Sequence, residues 1–370
     1  MEKKVMILTV STGGGHNKAS KVIQNELNVM GIDNEIVDAL KDVGTVGKVL
    51  DVFVSGGYEK SAQYIPKVYG KVYDVADKKI MRKTFDYNFI ITYMEMTIRK
   101  KIKNDKITHI ISTHPFTGIA VSRLKEKEKI DIPIYSLITD YTVHLAHVTK
   151  EIDKYIVAHE DTVTMLENAG ISSEKIFPFG IPTDMKDYSE KEIEEFKRKN
   201  EIDDRFTVLV VGGSFGAGDI KSVYKQLLKV DDINIIIICG RNESLKEKLE
   251  HKVKDTNKSD RVKIVGFTNE IEKYYQSSDI IVTKPGGLTV TECVQKELPM
   301  IIPFFIPGQE EGNKDFVVNN QMGLYSSKYY SVSLLVNTLM KDKSRIQVMK
   351  EAMRRNRKEN SAKKIASLIL

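Results

Sequence analysis

Glycine-rich loops carrying histidine, carboxylate and hydroxyl side chains recur where apolar runs give way to helical patterns. Ser11-Thr12-Gly13-Gly14-Gly15-His16 follows the apolar run 5–10. Three consecutive glycines let a backbone approach a ligand closely. His16 falls at the start of the next helical pattern, where the positive end of the helix dipole disfavours protonation. A neutral imidazole is the form a general base needs; the competing reading is a glycine turn beside an incidental surface histidine. The spacing is not the Gly-x-Gly-x-x-Gly of a dinucleotide fold, which argues against NAD or FAD.

A second glycine loop, Gly212-Gly213-Ser214-Phe215-Gly216-Ala217-Gly218, offers backbone amides to a pyrophosphate. The richest stretch is Lys284-Pro285-Gly286-Gly287-Leu288-Thr289-Val290-Thr291-Glu292. Its glycines and first-turn amides form an anion-binding helix N-terminus, with the Thr289 hydroxyl in reach of a phosphate. Glu292, one turn on, can accept hydrogen bonds from two vicinal hydroxyls such as a ribose offers. Pro307-Gly308-Gln309-Glu310-Glu311-Gly312-Asn313 then carries carboxylates and amides that suit the neutral hydroxyls of a sugar ring, unless it is simply a solvated acidic loop.

These loops need parallel sheets to hold them. Short β-rich runs alternate with helical patterns, the rhythm of strands joined by right-handed crossovers. The strands are expected at 5–10, 35–37, 108–112, 134–138 and 154–157, and then at 207–211, 234–238, 262–265, 280–282 and 300–302. The pattern restarts near Thr207, and Pro178, Gly180 and Pro182 punctuate the chain before the charged run 190–200, placing a linker at 181–189. The expected architecture is α/β: two doubly wound, Rossmann-like domains, 1–182 and 183–350, with a ligand cleft at their carboxyl edges. A basic amphipathic helix over 351–370 completes the chain.

The 370 residues suit two cores. A hydrophobic content of 41% with 29% charged residues describes an ordinary globular protein and excludes disordered or fibrous classes. The longest apolar stretches, 233–239 and 300–306, fall far short of the roughly 20 residues that span a bilayer. The N-terminal sequence lacks the pattern of a secretory signal, so a cytoplasmic location is expected. Cys239 and Cys293 read as reduced core thiols. The formal charge of +6 favours anionic partners. Scattered basic residues without an RNA motif argue against nucleic acid.

Six blocks give the pattern a family. Gly13-Gly14-Gly15-His16 with Ala19-Ser20, Thr139-Asp140 followed by His144, Cys239-Gly240-Arg241-Asn242, Gly266-Phe267, the run 284–292 and the run 308–313 occur in one order over residues 5–325. Together they resemble the monogalactosyldiacylglycerol synthase and processive diacylglycerol glucosyltransferase family. The resemblance implies the GT-B architecture, inversion at the anomeric carbon and no active-site metal or other cofactor, the UDP-sugar being a substrate. It implies that Gly266 and Phe267 hold the uracil, Ser214 and Thr289 the phosphates, Glu292 the ribose, and Gln309, Glu310 and Asn313 the donor sugar. Gly15, Phe215, Gly240, Asn242, Lys284, Gly286, Gly287 and Leu288 join them in the UDP-sugar site. His16 and Asp140 are implied at the acceptor hydroxyl, with His114 and His144 on the acceptor side.

The implied partners are UDP-glucose or UDP-galactose, diacylglycerol or a glycosyl-diacylglycerol, and anionic membrane lipids. The stretch 55–106 interleaves tyrosines with basic residues, including Tyr58, Tyr64, Lys67, Tyr69, Lys71 and Tyr73. Interfacial tyrosines, and lysines at about 1 kcal/mol each, can hold a protein on the inner face of a cell membrane. Two departures from the family stand out. His147 occupies a position that is usually tryptophan, and Gly180-Ile181-Pro182-Thr183-Asp184 replaces the usual Gly-Ile-Pro-Ile-Arg. A polyisoprenoid-linked acceptor and a non-hydrolysing UDP-sugar epimerase are the competing expectations.

Overall fold

The computed structural model describes residues 3–11, 14–41, 87–212, 220–254 and 259–370. Tyr58, Tyr64, Lys67, Tyr69, Lys71, Tyr73, Ser214 and Phe215 lie outside the described residues. The chain forms two compact units, Met1–Asp184 with Pro307–Gly312 and Lys358–Leu370, and Met185–Ile306 with Asn313–Arg357.

The first unit runs β1 (Lys4–Thr9), α1 (Gly14–Val29), β2 (Asp33–Asp38), α2 (Tyr87–Asp105), β3 (His109–Ser112), α3 (Pro115–Glu128), β4 (Ile134–Leu137), a 3-10 turn (Leu145–His147), β5 (Lys154–Ile156), α4 (Glu160–Asn168) and β6 (Ile176–Phe177). The six strands pair in parallel in the order β2-β1-β3-β4-β5-β6. Alternation along β1 explains why the run is continuously apolar. Met6 and Leu8 enter one core with Ile91 and Met94 of α2 and Val121 of α3, while Val5 and Ile7 enter the other with Ile23 and Leu27 of α1. A strand covered on both faces needs apolar residues at both parities.

The second unit contains α5 (Glu190–Lys199), β7 (Phe206–Val211), α6 (Ile220–Leu227), β8 (Ile233–Ile238), α7 (Glu243–Lys254), β9 (Val262–Val265), α8 (Ile271–Gln276), β10 (Ile280–Thr283), α9 (Gly287–Gln295), β11 (Met300–Ile302), α10 (Glu311–Asn319, which begins at the boundary), β12 (Gly323–Tyr325), α11 (Val332–Lys341) and α12 (Lys343–Asn356). Its parallel sheet is ordered β12-β11-β10-β7-β8-β9. The ten expected strands form within one or two residues of their expected limits; β6 and β12 are additional edge strands of two and three residues.

Each sheet reverses its strand order once, between β1 and β3 in the first and between β7 and β10 in the second. Such switch points spread adjacent loops apart and are where doubly wound sheets bind ligands. Leu8 pairs with Ser112 at the first, and Val211 with Thr283 at the second. The glycine-histidine loop therefore adjoins Thr113 and His114, and the loop beginning at Gly212 adjoins Lys284.

The C-terminal stretch is not one helix. It divides into α12 and α13 (Ser361–Ser367), separated by a segment in which Asn360 adopts a left-handed φ of 56°. Ile365, Ala366 and Ile369 complete the core beside α1, so the 351–370 stretch contributes to the interior as well as the surface. Tyr135 donates a 3.2 Å hydrogen bond to the Leu368 carbonyl. Gly180 makes room for this return: its φ is +89°, and a Cβ there would stand 2.5 Å from the Lys358 Cβ. Gly180→Ala is expected to destabilise the fold by about 2 kcal/mol or more in urea unfolding, through backbone strain plus the clash. A change below about 0.5 kcal/mol would contradict that packing.

Candidate functional site

The junction after β1 is clamped before it carries any chemistry. Thr9 Oγ1 donates to Asn17 Oδ1 at 2.9 Å, Asn17 Nδ2 donates to Ser11 Oγ at 3.0 Å, and Ser11 Oγ donates to Asp38 Oδ2 at 2.5 Å. These bonds tie β1, the first turn of α1 and the end of β2. Gly14 and Gly15 open α1 and His16 is its third residue, so the imidazole stands over the switch point.

His16 Nδ1 lies 2.6 Å from the Thr113 carbonyl oxygen and 3.2 Å from Thr139 Oγ1. A carbonyl only accepts, so Nδ1 carries the proton and Nε2 of the neutral ring carries the lone pair. Burial pulls the His16 pKa down to about 4, against the upward pull of the Thr113 bond. His16 is therefore neutral at physiological pH, mainly through desolvation and not through the helix dipole alone.

Three more histidines gather at this carboxyl edge. The His114 ring meets His16 edge-on at 4.7 Å, and burial, then His16 and His147, hold its pKa well below the usual value. His114 caps α3, Nδ1 accepting from Phe116 N at 3.2 Å; His144 caps the turn Leu145–His147, Nδ1 accepting from Ala146 N at 3.1 Å. Both capping rings in their neutral form hold hydrogen on Nε2, opposite to His16. His147 is buried, with its pKa lowered to about 3 by burial first and then by His144 and His16. Asp140 is half-buried in the bend after β4, beside Thr139. Asp184, at the departure from the family segment, pairs with Lys18 of α1 at 3.3 Å.

In the second unit, Gly286 is the N-cap of α9 without a side-chain cap bond, which leaves the amides of Gly287, Leu288 and Thr289 to be satisfied by a ligand or water. Lys284, Thr289 and Glu292 are half-buried, and Glu292 Oε2 accepts from Tyr275 OH at 3.3 Å. Tyr275 and Cys293 are buried, which raises both pKa values well above the ordinary range. Cys239 and Cys293 are free thiols.

The loops after β8 and β9 meet through Arg241, whose guanidinium lies 5.3 Å from the Phe267 ring centre. Phe267 is 59% exposed beside Gly266, a flat apolar surface on which a base can stack. Gly240 takes a φ of +59°, and Asn242 Oδ1 accepts from Leu245 N at 2.9 Å, so this pair builds the turn into α7. The 307–313 stretch is no solvated acidic tip: Gln309 is half-buried and Glu310 and Asn313 are buried. Within the first unit, a Cβ on Gly312 would overlap the Thr142 side chain.

The structure thus gathers His16, His114 and the loop of Asp140 and His144 at one edge. In the second unit it sets Lys284, Gly286, Gly287, Leu288, Thr289 and Glu292 on one strand–helix junction, with Gly240, Asn242, Gly266 and Phe267 in the loops that follow β8 and β9. Sequence reasoning passed over Thr113 and Tyr275, whose only signal is a position next to an assigned residue or across a fold contact. Among the described residues, no group of three His, Cys, Asp or Glu side chains is arranged as metal ligands.

Residues 16–183 match the family described as monogalactosyldiacylglycerol (MGDG) synthase, and residues 207–369 match the glycosyltransferase family 28 C-terminal domain. The chain is 28% identical over 375 aligned residues to a processive diacylglycerol beta-glucosyltransferase of Bacillus cereus, covering 99% of this chain and 93% of that one. It is 27% identical, with the same coverage, to the protein of that name in Bacillus mycoides. Among solved structures, Acinetobacter baumannii MurG superposes with a TM-score of 0.66 at 14% identity over 99% of both chains. Anabaena Alr3699/HepE in complex with UDP-glucose gives 0.59 at 12% identity, over 99% of this chain and 98% of that one. UDP-GlcNAc 2-epimerase from Neisseria meningitidis bound to UDP-GlcNAc gives 0.61 at 15% identity with the same coverage. These likenesses establish the GT-B fold, and because they include an epimerase beside sequence relatives named as glucosyltransferases the fold alone does not select the reaction.

The buried histidines make stability depend on acid. An unfolded imidazole takes up its proton near 6.5, whereas His16 and His147 do so only near 4 and 3. Between those values the unfolded chain binds protons that the folded chain refuses, so stability falls as pH drops from 6.5 toward 4. The slope is about 1.4 kcal/mol per pH unit for each residue. Urea midpoints across this window should show that fall, and His147→Phe should make it shallower by one residue's share. An unchanged slope in the variant would show that His147 titrates normally.

Proposed function

The chain belongs to the monogalactosyldiacylglycerol synthase and processive diacylglycerol glucosyltransferase family, and from that premise we propose that it transfers a hexose from UDP-glucose or UDP-galactose to diacylglycerol, or to a glycosyl-diacylglycerol, at the inner face of the cell membrane. End-to-end similarity to enzymes named for diacylglycerol glucosyl transfer supports the substrate class. One geometric observation carries the chemistry. His16 Nδ1 is committed to the Thr113 carbonyl, leaving Nε2 as the proton acceptor.

The reaction is a single displacement. The acceptor hydroxyl oxygen forms a bond to C1 of the sugar as its proton passes to His16 Nε2, and the bond from C1 to the diphosphate oxygen breaks with its electron pair on UDP. One displacement inverts C1. Asp140 assists at the acceptor, and the amides opening α9, with Thr289, stabilise the departing diphosphate without a metal ion. Glu292 holds the ribose, Phe267 and Gly266 the base, and Gln309, Glu310 and Asn313 the sugar.

No helix among the described residues is long and apolar enough to cross a membrane. Membrane contact is supported by α2, which exposes Phe89 at 57% and Met96 at 58% on the same face as exposed Lys100 and Lys103. Apolar side chains flanked by lysines suit an anionic lipid surface.

Labelled UDP-glucose and UDP-galactose offered with diacylglycerol vesicles should yield a glycolipid of inverted anomeric configuration, at a rate insensitive to EDTA. Donor consumption without lipid would replace this reading with epimerisation, and loss of rate on chelation would remove metal independence. His16→Ala should keep UDP binding and lose transfer by about a hundredfold or more; near-normal turnover would exclude His16 as the base. Separately, Phe89→Ser combined with Met96→Ser should weaken binding to anionic vesicles with UDP affinity unchanged, and undiminished vesicle binding would clear α2 of that role.

A further inference from the structure

Resting on His16 as the base, we propose that Thr139 is a positioning residue for it, its hydroxyl serving beside the Thr113 carbonyl as a second acceptor that fixes the orientation of the Nδ1–H imidazole. The two oxygens lie 3.2 and 2.6 Å from the same nitrogen. Were the Thr139 hydroxyl to donate instead, Nδ1 would need a lone pair, and that lone pair would face the Thr113 carbonyl oxygen at 2.6 Å. The repulsion rules that arrangement out. One N–H is therefore shared by two acceptors, from the ends of two different strands.

Both acceptors are rigid. Thr113 is fully buried and Thr139 is 6% exposed, so water competes little for these bonds. Thr113 N and Oγ1 both donate to the Leu8 carbonyl, at 2.9 and 3.1 Å. Ser20 Oγ lies 3.1 Å from Thr113 Oγ1. Ser20 is one turn beyond His16 on the same face of α1, so Thr113 fixes the helix at two levels while Thr139 approaches the ring from β4. Without the Thr139 hydroxyl the ring retains one acceptor and loses the restraint from the β4 side.

The test uses the full chain carrying ring-15N histidine. Wild-type His16 is expected to show a protonated Nδ1 and an unprotonated Nε2. Thr139→Val keeps the branched shape without the oxygen. The Thr113 carbonyl still holds the proton on Nδ1, but the Nδ1 resonance should move as its second acceptor is lost and the ring is less well oriented, with kcat about tenfold lower and donor KM unchanged. Thr139→Ser restores the oxygen and should restore both the spectrum and the rate to within about twofold. A wild-type spectrum with hydrogen on Nε2 would overturn the proposal by itself, whether or not the valine variant folds. So would a valine variant with the wild-type spectrum and rate. The spectra test Thr139 alone: if His16→Ala transferred sugar normally while they held, the catalytic reading would fail and the positioning would stand.

Discussion

Strands buried on both faces leave a chain only the edges of its sheets for polar chemistry. In both units the central strands are saturated with Ile, Val, Leu and Met, as along β8, where every residue from Ile233 to Ile238 is buried. Ligand-binding groups must therefore come from the loops, and a parallel sheet directs all the loops that follow its strands to one edge. At each strand-order reversal two such loops start from adjacent strands and diverge. The histidine loop and the Lys284 loop both start at these two places, so the layout of the candidate sites follows from topology before any individual contact is considered.

The two edges solve different electrostatic problems. The first keeps its imidazoles uncharged by burial and by crowding histidines together, against the upward pull of the Thr113 carbonyl on His16. The opposite tautomers of His16 and the capping His114 and His144 follow from what each Nδ1 faces, a carbonyl in one case and an amide N–H in the others. The second edge presents positive potential through the amides at the start of α9 and the half-buried Lys284 just before them. Tyr275 supports the neighbouring carboxylate of Glu292 from within the core.

The sequence made legible what is encoded locally. Short β-rich runs of three to six residues marked the principal strands, and glycines before helical patterns marked the loops, because both signals lie within a few consecutive positions. Ile176–Phe177 and Gly323–Tyr325 are too short to show any periodicity, and they are strands only because a neighbouring edge supplies their partners. The division of the chain's end into Lys343–Asn356 and Ser361–Ser367 could not be read from helical spacing, since Ile365 and Ile369 satisfy the same period whether they face solvent or α1. Thr113 and Tyr275 were missed for a related reason. Their roles consist of bonds to residues 97 and 17 positions away, and no local pattern encodes such a partner.

As the proposed base, His16, with a pKa of about 4, is unprotonated at neutral pH but binds a proton weakly. That value belongs to the protein without reactants. An imidazolium is favoured by any nearby negative charge, and the proposed reaction generates negative charge on the acceptor oxygen as it loses its proton. The imidazole thus gains basicity as bond making and breaking proceed. Burial that depresses the resting value also lowers the local dielectric, so each developing charge acts on the ring more strongly than it would in water. In the proposed role, the desolvation that keeps His16 neutral at rest also makes its interaction with the developing charge stronger in the transition state than in the ground state, and such differential stabilisation is what accelerates a reaction.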